Sequence, residues 1–309
     1  SHPEHELSSD ATKQLAYIYL EDGQTARAAE EHERIAAEAT DPELAREALL
    51  TAGELYDEVD VMAEAIRVYE QYVEAYPRPL NFAVETRSRL SEIFMQEGST
   101  ERYYDELAAI VALDDTAGAD RTDRSRYLAG RAALVLAELT FEAFAEVKLV
   151  QPFEQSLAEK QQRMDVALEA FGNLTSYQVA EVTGAATFYI AETYLEFSNA
   201  LLTSERPTGL SSTELLDYDL VIEEEAYPFE EQAIEVHEKN FEMLAGGIHN
   251  EWVQQSLDKL VVLMPGRYAR TEISSGYLES VDSYAYRMPN APPPGSTIED
   301  GELTAQVAE

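Results

Sequence analysis

The sequence predicts an all-α fold of about twelve helices stacked as hairpins. Three observations carry that expectation. Small and aromatic residues recur at helical spacing, the recurrence repeats in phase along the chain, and helix start and stop residues punctuate it. The clearest unit is "LLTAGELYDEVDVMAEAIRVYEQYVEAYP", residues 49–77. Asp41-Pro42 opens its first helix, with Asp as the cap and Pro in the first turn. Gly53 and Tyr56 share one face of that helix, while Ala65, Tyr69 and Tyr72 lie on a second helix that Pro77 ends. Small side chains at Gly53 and Ala65 allow the two helices to approach closely, and the aromatics fill the next layer.

This pattern resembles the tetratricopeptide repeat (TPR), a helix–turn–helix unit with small residues at its eighth and twentieth positions, aromatics at its eleventh and twenty-fourth, and Pro near its thirty-second. Residues 46–79 match at Gly53, Tyr56, Ala65, Tyr69 and Pro77, and Tyr72 stands where a small residue is usual. Upstream, Ala16, Tyr19, Gly23 and Ala28 take the equivalent places; downstream, Ser91, Phe94 and Gly98 do so, with bulky Tyr103 at a small-residue position. Equivalent positions 16, 53 and 91 are 37 and 38 residues apart, longer than the standard period of about 34, so helices or connections are extended. The resemblance implies a right-handed TPR-like α-solenoid.

Three such repeats are expected over residues 8–116, after a leader at 1–7 that stands outside the fold. Elongated, irregular hairpins follow over 117–265. "RYLAGRAALVLAELTFEAFAEVKLVQP" reads as one helix closed near Pro152, with Ala167 and Phe171 on its partner. "VAEVTGAATFYIAETYLEFSNALL" is another first helix, carrying Ala191 and Tyr194, and its partner "YPFEEQAIEVHEKNFEMLAGG" presents Ala233 and stops at the double Gly. "NEWVQQSLDKLVVLMP" reads as a capping helix over an open apolar end. Residues 266–309, with "PNAPPPG", are expected as an extended or disordered tail whose tyrosines could dock on the solenoid or on a partner.

With 45% hydrophobic residues the chain can bury a sizeable core despite a net charge of −38, from 22 basic and 60 acidic residues. That field repels nucleic acid and anionic lipid and attracts basic proteins. The only lysines are Lys13, Lys148, Lys160, Lys239 and Lys259. Acid-rich, Lys-poor surfaces are what a protein facing high salt carries, so halophilic adaptation is one explanation of the acid. The absence of Cys excludes disulfides, thiolate metal sites and a Cys nucleophile. No run of about 18 apolar residues is present to span a membrane.

Catalytic signatures are lacking. Gly246-Gly247 is a helix stop with no Walker Lys, and no G-x-S-x-G element occurs. His32, His237 and His249 have no local metal-ligand spacing; His32 and His237 fall on second-helix packing positions, which makes them core or groove-edge residues. Carboxylate pairs are too numerous for any one to mark acid–base chemistry. "IEEEAYPFEEQ", residues 222–232, reads as a solvated inter-helix loop around a Tyr-Pro turn. No catalytic residue, metal ligand or cofactor is therefore expected.

The resemblance implies a partner site on the concave face of the first helices, at repeat positions two, five, nine, twelve and thirteen. Those positions are Glu47, Leu50, Glu54, Asp57 and Glu58 in the clearest repeat. Upstream they are Asp10, Lys13, Tyr17, Leu20 and Glu21; downstream, Glu85, Ser88, Glu92, Met95 and Gln96; in the later hairpin, Ala185, Phe188, Glu192, Leu195 and Glu196. The family's carboxylate clamp for chaperone tails needs Lys, Arg and Asn here, and acids stand instead. The expected partner is a basic or amphipathic protein segment. A Cys-free, acid-rich chain of this repeat type is also similar to periplasmic TPR accessories of Gram-negative bacteria that work beside Tol- or Ton-type complexes. That resemblance implies an accessory envelope subunit, with a cytoplasmic scaffold as the alternative location and a carboxylate-based hydrolase as the remaining functional class.

Overall fold

A computed structural model describes residues 3–269, with side chains from residue 11 onward. The described residues contain twelve α-helices and no strand. They are α1 (Pro3–Glu21), α2 (Thr25–Glu38), α3 (Pro42–Glu58), α4 (Met62–Ala75), α5 (Leu80–Glu97), α6 (Thr100–Asp115), α7 (Asp123–Ala145), α8 (Phe153–Leu174), α9 (Ala180–Leu202), α10 (Ser212–Glu242), α11 (Glu251–Leu263) and the single turn α12 (Pro265–Tyr268). Each helix from α1 to α11 packs on the next, and α5, α7, α9 and α11 also pack on one another in turn. Ten helices thus form five consecutive hairpins, and α11 closes the series.

The first three hairpins are built alike. Their helices are 14 to 19 residues long, and each hairpin turns through one residue in the left-handed region: Gly23 (φ 71°), Asp60 (φ 58°) and Gly98 (φ 72°). The residue after each of these donates its backbone N–H to the carbonyl of the same aromatic position: Gln24 to Tyr19, Val61 to Tyr56 and Ser99 to Phe94, at 2.8–2.9 Å. This is the six-to-one bond of a helix C-terminal motif, repeated at intervals of 37 and 38 residues. Asp41 caps α3 through its carboxylate, which accepts from the Glu43 N–H at 3.1 Å, with Pro42 in the first turn.

Close approach inside the second hairpin depends on Gly53. A Cβ there would lie 2.6 Å from a ring carbon of Tyr69, and that ring is buried in a core shared with Ala65, Tyr72, Leu90 and Phe94. A second core joins α5 to α9 around Phe171, Leu174 and Val182, and a third joins α7 to α10 around Phe144 and Phe197.

Four sequence expectations change here. Residues 3–7, expected as a leader, belong to α1, where Pro3 occupies the first helical position without needing an N–H partner. The helix expected to run to Pro152 ends at Ala145. Its continuation folds over so that Leu149 is buried beside Phe144, and the Leu149 carbonyl accepts from the Glu205 N–H at 2.9 Å. The "IEEEAYPFEEQ" stretch is not a loop but the middle of α10, a 31-residue helix with Pro228 inside it. That helix begins at a capping box: Glu214 N–H donates to Ser211 Oγ at 3.4 Å, and the Ser211 N–H donates to Glu214 Oε2 at 2.8 Å. Residues 266–268 of the expected tail belong to α12, which starts at Pro265, and residues 270–309 lie outside the described residues.

Candidate partner-binding face

The expected contact positions on α1, α3 and α5 remain accessible. Tyr17 and Leu20 on α1 are exposed, as are Glu47, Glu54 and Glu58 on α3 and Glu85, Glu92 and Met95 on α5; Leu50 is half-buried. Helix geometry accounts for this: the opposite sides of α3 and α5 carry Leu49, Ala52 and Tyr56, or Leu90, Ile93 and Phe94, into the core. The acid on this face is not uniform. Arg89 of α5 takes both oxygens of Asp57 at 2.6 and 2.7 Å and also reaches Glu92 at 2.9 Å, so it ties α3 to α5. The hydrogen bonds from Arg89 hold the Asp57 carboxyl below the usual aspartate range, and Tyr69 adds a donor at 3.3 Å. Arg124 reaches Glu85 at 3.4 Å, and Arg46 lies 3.6 Å from Glu47. Glu54 and Glu58 have no ion pair among the described residues; although Glu54 is exposed overall, crowding around its carboxylate raises its pKa.

A cleft of about 330 Å³ opens where α5, α6 and α7 meet. Glu92 and Met95 form one wall and Arg124, Tyr127 and Arg131 the other, with Leu107 and Ile110 below. Both guanidiniums stand beside the Tyr127 ring, at 5.9 and 5.8 Å from its centre. The cleft is therefore amphipathic and of mixed charge, not purely acidic. Arg124 and Arg131 belong to α7, the first helix of the irregular fourth hairpin, and fall outside the repeat-based contact positions, which is why sequence reasoning missed them.

The α9 positions do not join this face. Phe188 is buried, with its ring 5.5 Å from Trp252 and 5.6 Å from His237. The cause is α11, which packs on α9 and covers the side expected to face a partner. Glu192 is held by Lys259 of α11 at 2.5 Å and lies 3.2 Å from His237 of α10. Burial pushes the Glu192 carboxyl up, but its contacts with His237 and Lys259 outweigh burial and hold it below the ordinary glutamate value. Glu196 contacts Lys160, whose ammonium is wholly buried, donates to the Phe144 carbonyl at 3.1 Å and lies over the Phe144 ring. Burial lowers the Lys160 pKa.

Around His237 the structure assembles groups that no local motif announces. Ser256 Oγ lies 3.2 Å from His237 Nδ1, and Glu192 Oε1 lies 3.2 Å from Nε2. The Glu192 approach is in ion-pair range yet off the hydrogen-bond axis, since neither atom completes a hydrogen bond. Hydroxyl, imidazole and carboxylate in line resemble a hydrolytic triad by distance, but the nitrogens are used the opposite way round. Ser256 and His237 are also wholly buried, and Asn240 Nδ2 donates to Ser256 Oγ at 2.8 Å and to the Gly184 carbonyl at 3.0 Å. This geometry locks α9, α10 and α11 together and leaves the hydroxyl no open side for a substrate. His32, the other packing-position histidine, is half-buried, and burial lowers its pKa.

Among the described residues no group of three or more His, Asp or Glu is arranged to hold a metal ion, and no helix is long and apolar enough to cross a membrane. No family model and no curated protein matches the chain. A solved structure from the computational design of self-assembling cyclic protein homooligomers aligns with 85% of this chain and 95% of its own length, at 18% identity and a TM-score of 0.26. A likeness that weak carries no argument about topology or function.

Proposed function

We propose that the chain is a non-catalytic, TPR-like scaffold that binds a basic or amphipathic segment of another protein along α1, α3 and α5. The observation that carries this reading is the pairing of exposed apolar side chains with uncommitted acid among the contact positions of successive hairpins. Tyr17 is 64% and Met95 66% exposed, while Glu54 and Glu58 between them have no ion pair among the described residues. An apolar anchor beside a carboxylate suits a segment that alternates Lys or Arg with bulky apolar residues. The mixed-charge cleft at Met95, Tyr127 and Arg131 would take one such anchor at the end of the face. The alternative reading, an accessory role beside an envelope complex, rests on the resemblance to periplasmic TPR accessories, and fractionation of cells expressing the natural gene tests that location.

The test of binding is capture of partners at low and high salt by the wild-type chain and by a variant carrying Glu54→Gln, Glu58→Gln, Glu92→Gln and Met95→Ser. The partner should be recovered by the wild type and lost from the variant. Equal recovery by both would assign the acid to solvation alone.

A further inference from the structure

α10 is the longest helix among the described residues, and only one side of it is buried. Ile222, Ala226, Ala233, His237 and Asn240 are buried, the helix packing on α9 and α11. The side away from them carries Leu216, Leu220 and Tyr227; Ile234 and Phe241 continue the seven-residue spacing but turn to the flank, half-buried, where the Phe241 ring lies 6.1 Å from that of Tyr268. Leu216, Leu220 and Tyr227 are 65%, 63% and 58% exposed, a large apolar display for a surface helix. An apolar residue at every seventh position supplies one of the two core positions of a coiled-coil heptad, and here the other position of the seam is acidic. Between these residues stand Glu223, Glu224 and Glu230, none with an ion pair among the described residues. Beside the second half of the seam a cleft of about 620 Å³ runs between Tyr227 and Ile234 of α10 and Met264 and Arg267 near α12.

We infer that this seam is a second docking surface, whose occupant is a helix of another protein with apolar residues at seven-residue intervals and Lys or Arg beside them. Charge selects that occupant. A second copy laid on the same seam would set Glu223, Glu224 and Glu230 against their own equivalents in a chain of net charge −38. A basic helix would meet the same acids favourably and fill the apolar positions between them. This surface lies on a second helix of a hairpin and shares no residue with the α1, α3 and α5 face, so the two readings stand or fall separately.

The probe is a fluorescein-labelled synthetic helix with Leu at heptad core positions and Lys beside them, titrated into the full chain and followed by anisotropy. Moderate salt screens undirected attraction to the acidic chain. Its control has the same composition scrambled so that Leu no longer lines one face. Binding should weaken at least ~10-fold for the scrambled peptide, and likewise for a Leu216→Ser, Leu220→Ser, Tyr227→Ser variant. These side chains are exposed, so the fold should survive, and circular dichroism checks it. A Glu223→Lys, Glu224→Lys, Glu230→Lys variant keeps the apolar seam and should lose the Lys peptide while gaining a Glu-flanked one. The comparison of wild type with the Ser variant is repeated in a Glu54→Gln, Glu58→Gln, Glu92→Gln background, which discharges the α1, α3 and α5 face; the loss caused by the Ser substitutions should persist there, and a loss seen only with that face intact overturns the inference. Equal binding of the scrambled peptide, or undiminished binding by the Ser variant, overturns the inference in favour of bulk electrostatics. Self-association in sedimentation that the Ser variant abolishes overturns it in favour of a second copy.

Discussion

The first three hairpins and the last two hold together by different means. In α1–α6 the helix contacts are mostly apolar; Glu31, Arg46 and Asp114 are buried there but keep 4–6% exposure, while Arg67 to Glu33 and Arg89 to Asp57 tie successive hairpins and Arg87 to Glu106 ties α5 to α6, each at 2.6–2.7 Å. In α7–α11, where α7 to α10 run 22 to 31 residues, polar groups go inside. Lys160, His237, Asn240 and Ser256 are wholly buried there, each with partners on other helices. A repeat with a strict pattern needs only small and large side chains in alternation. Once helices lengthen and the period is lost, side-chain hydrogen bonds to backbone carbonyls fix which helix meets which, at the cost of much greater sensitivity to loss of one partner.

That contrast can be broken first at Lys160. Lys160→Ala removes a wholly buried stem, takes one donor from the Phe144 carbonyl and leaves Glu196 without its ammonium partner, so unfolding should become easier by about 3 kcal/mol. Lys160→Met keeps the stem, and its cost should be only about 1 kcal/mol. Denaturant unfolding of both variants measures the difference, and equal losses would mean that the hydrogen bond, not the packing, dominates. In the first region the corresponding weak point is steric. Gly53→Ala sets a methyl group 2.6 Å from the buried Tyr69 ring and should cost about 2 kcal/mol, read from the midpoint of the same transition.

A smaller effect separates the regions by pH. Asp57→Asn removes the paired bond to Arg89, worth about 1 kcal/mol at a site whose arginine is about a third exposed. The folded pKa of Asp57 lies below its unfolded value, so this stability is present above about pH 3.9 and is lost as pH falls through the folded pKa. The gap between wild type and variant should therefore hold at neutral pH and close in acid; a gap unchanged at low pH would exclude the ion pair as its source. The smallest change expected is a gain. Asp60 occupies the left-handed position that Gly23 and Gly98 fill in the neighbouring hairpins, and Asp60→Gly should stabilise by roughly 0.5 kcal/mol, visible as a small rise in Tm.

Asp60 also shows where sequence reading stops. Gly53, Tyr56, Ala65 and Tyr69 were legible because a packing repeat writes itself into residue size, and Asp41-Pro42 because a cap is a local interaction. The left-handed turn was legible at Gly23 and Gly98 but hidden at Asp60, where an Asp adopts a glycine's conformation. Pro228 was read as a turn because Pro usually ends helices, although Ser211 and Glu214 announce a helix start upstream through their capping-box spacing. The contacts of Glu192, His237 and Ser256 cross three helices and leave no local spacing at all. Phe188 was placed on the accessible face because the repeat pattern carries no information about α11 covering the end of the series.

The chain-neighbour packing of α1–α11 has a mechanical consequence. Contacts join each helix to the next or the next but one, so a pull on the two ends is carried by the hairpins in series, like links rather than like a single block. Such a chain yields at its softest link while the others stay folded. The buried network of α9, α10 and α11 then acts as a clasp at one end, and extension would be taken up first by the apolar hairpins at the other.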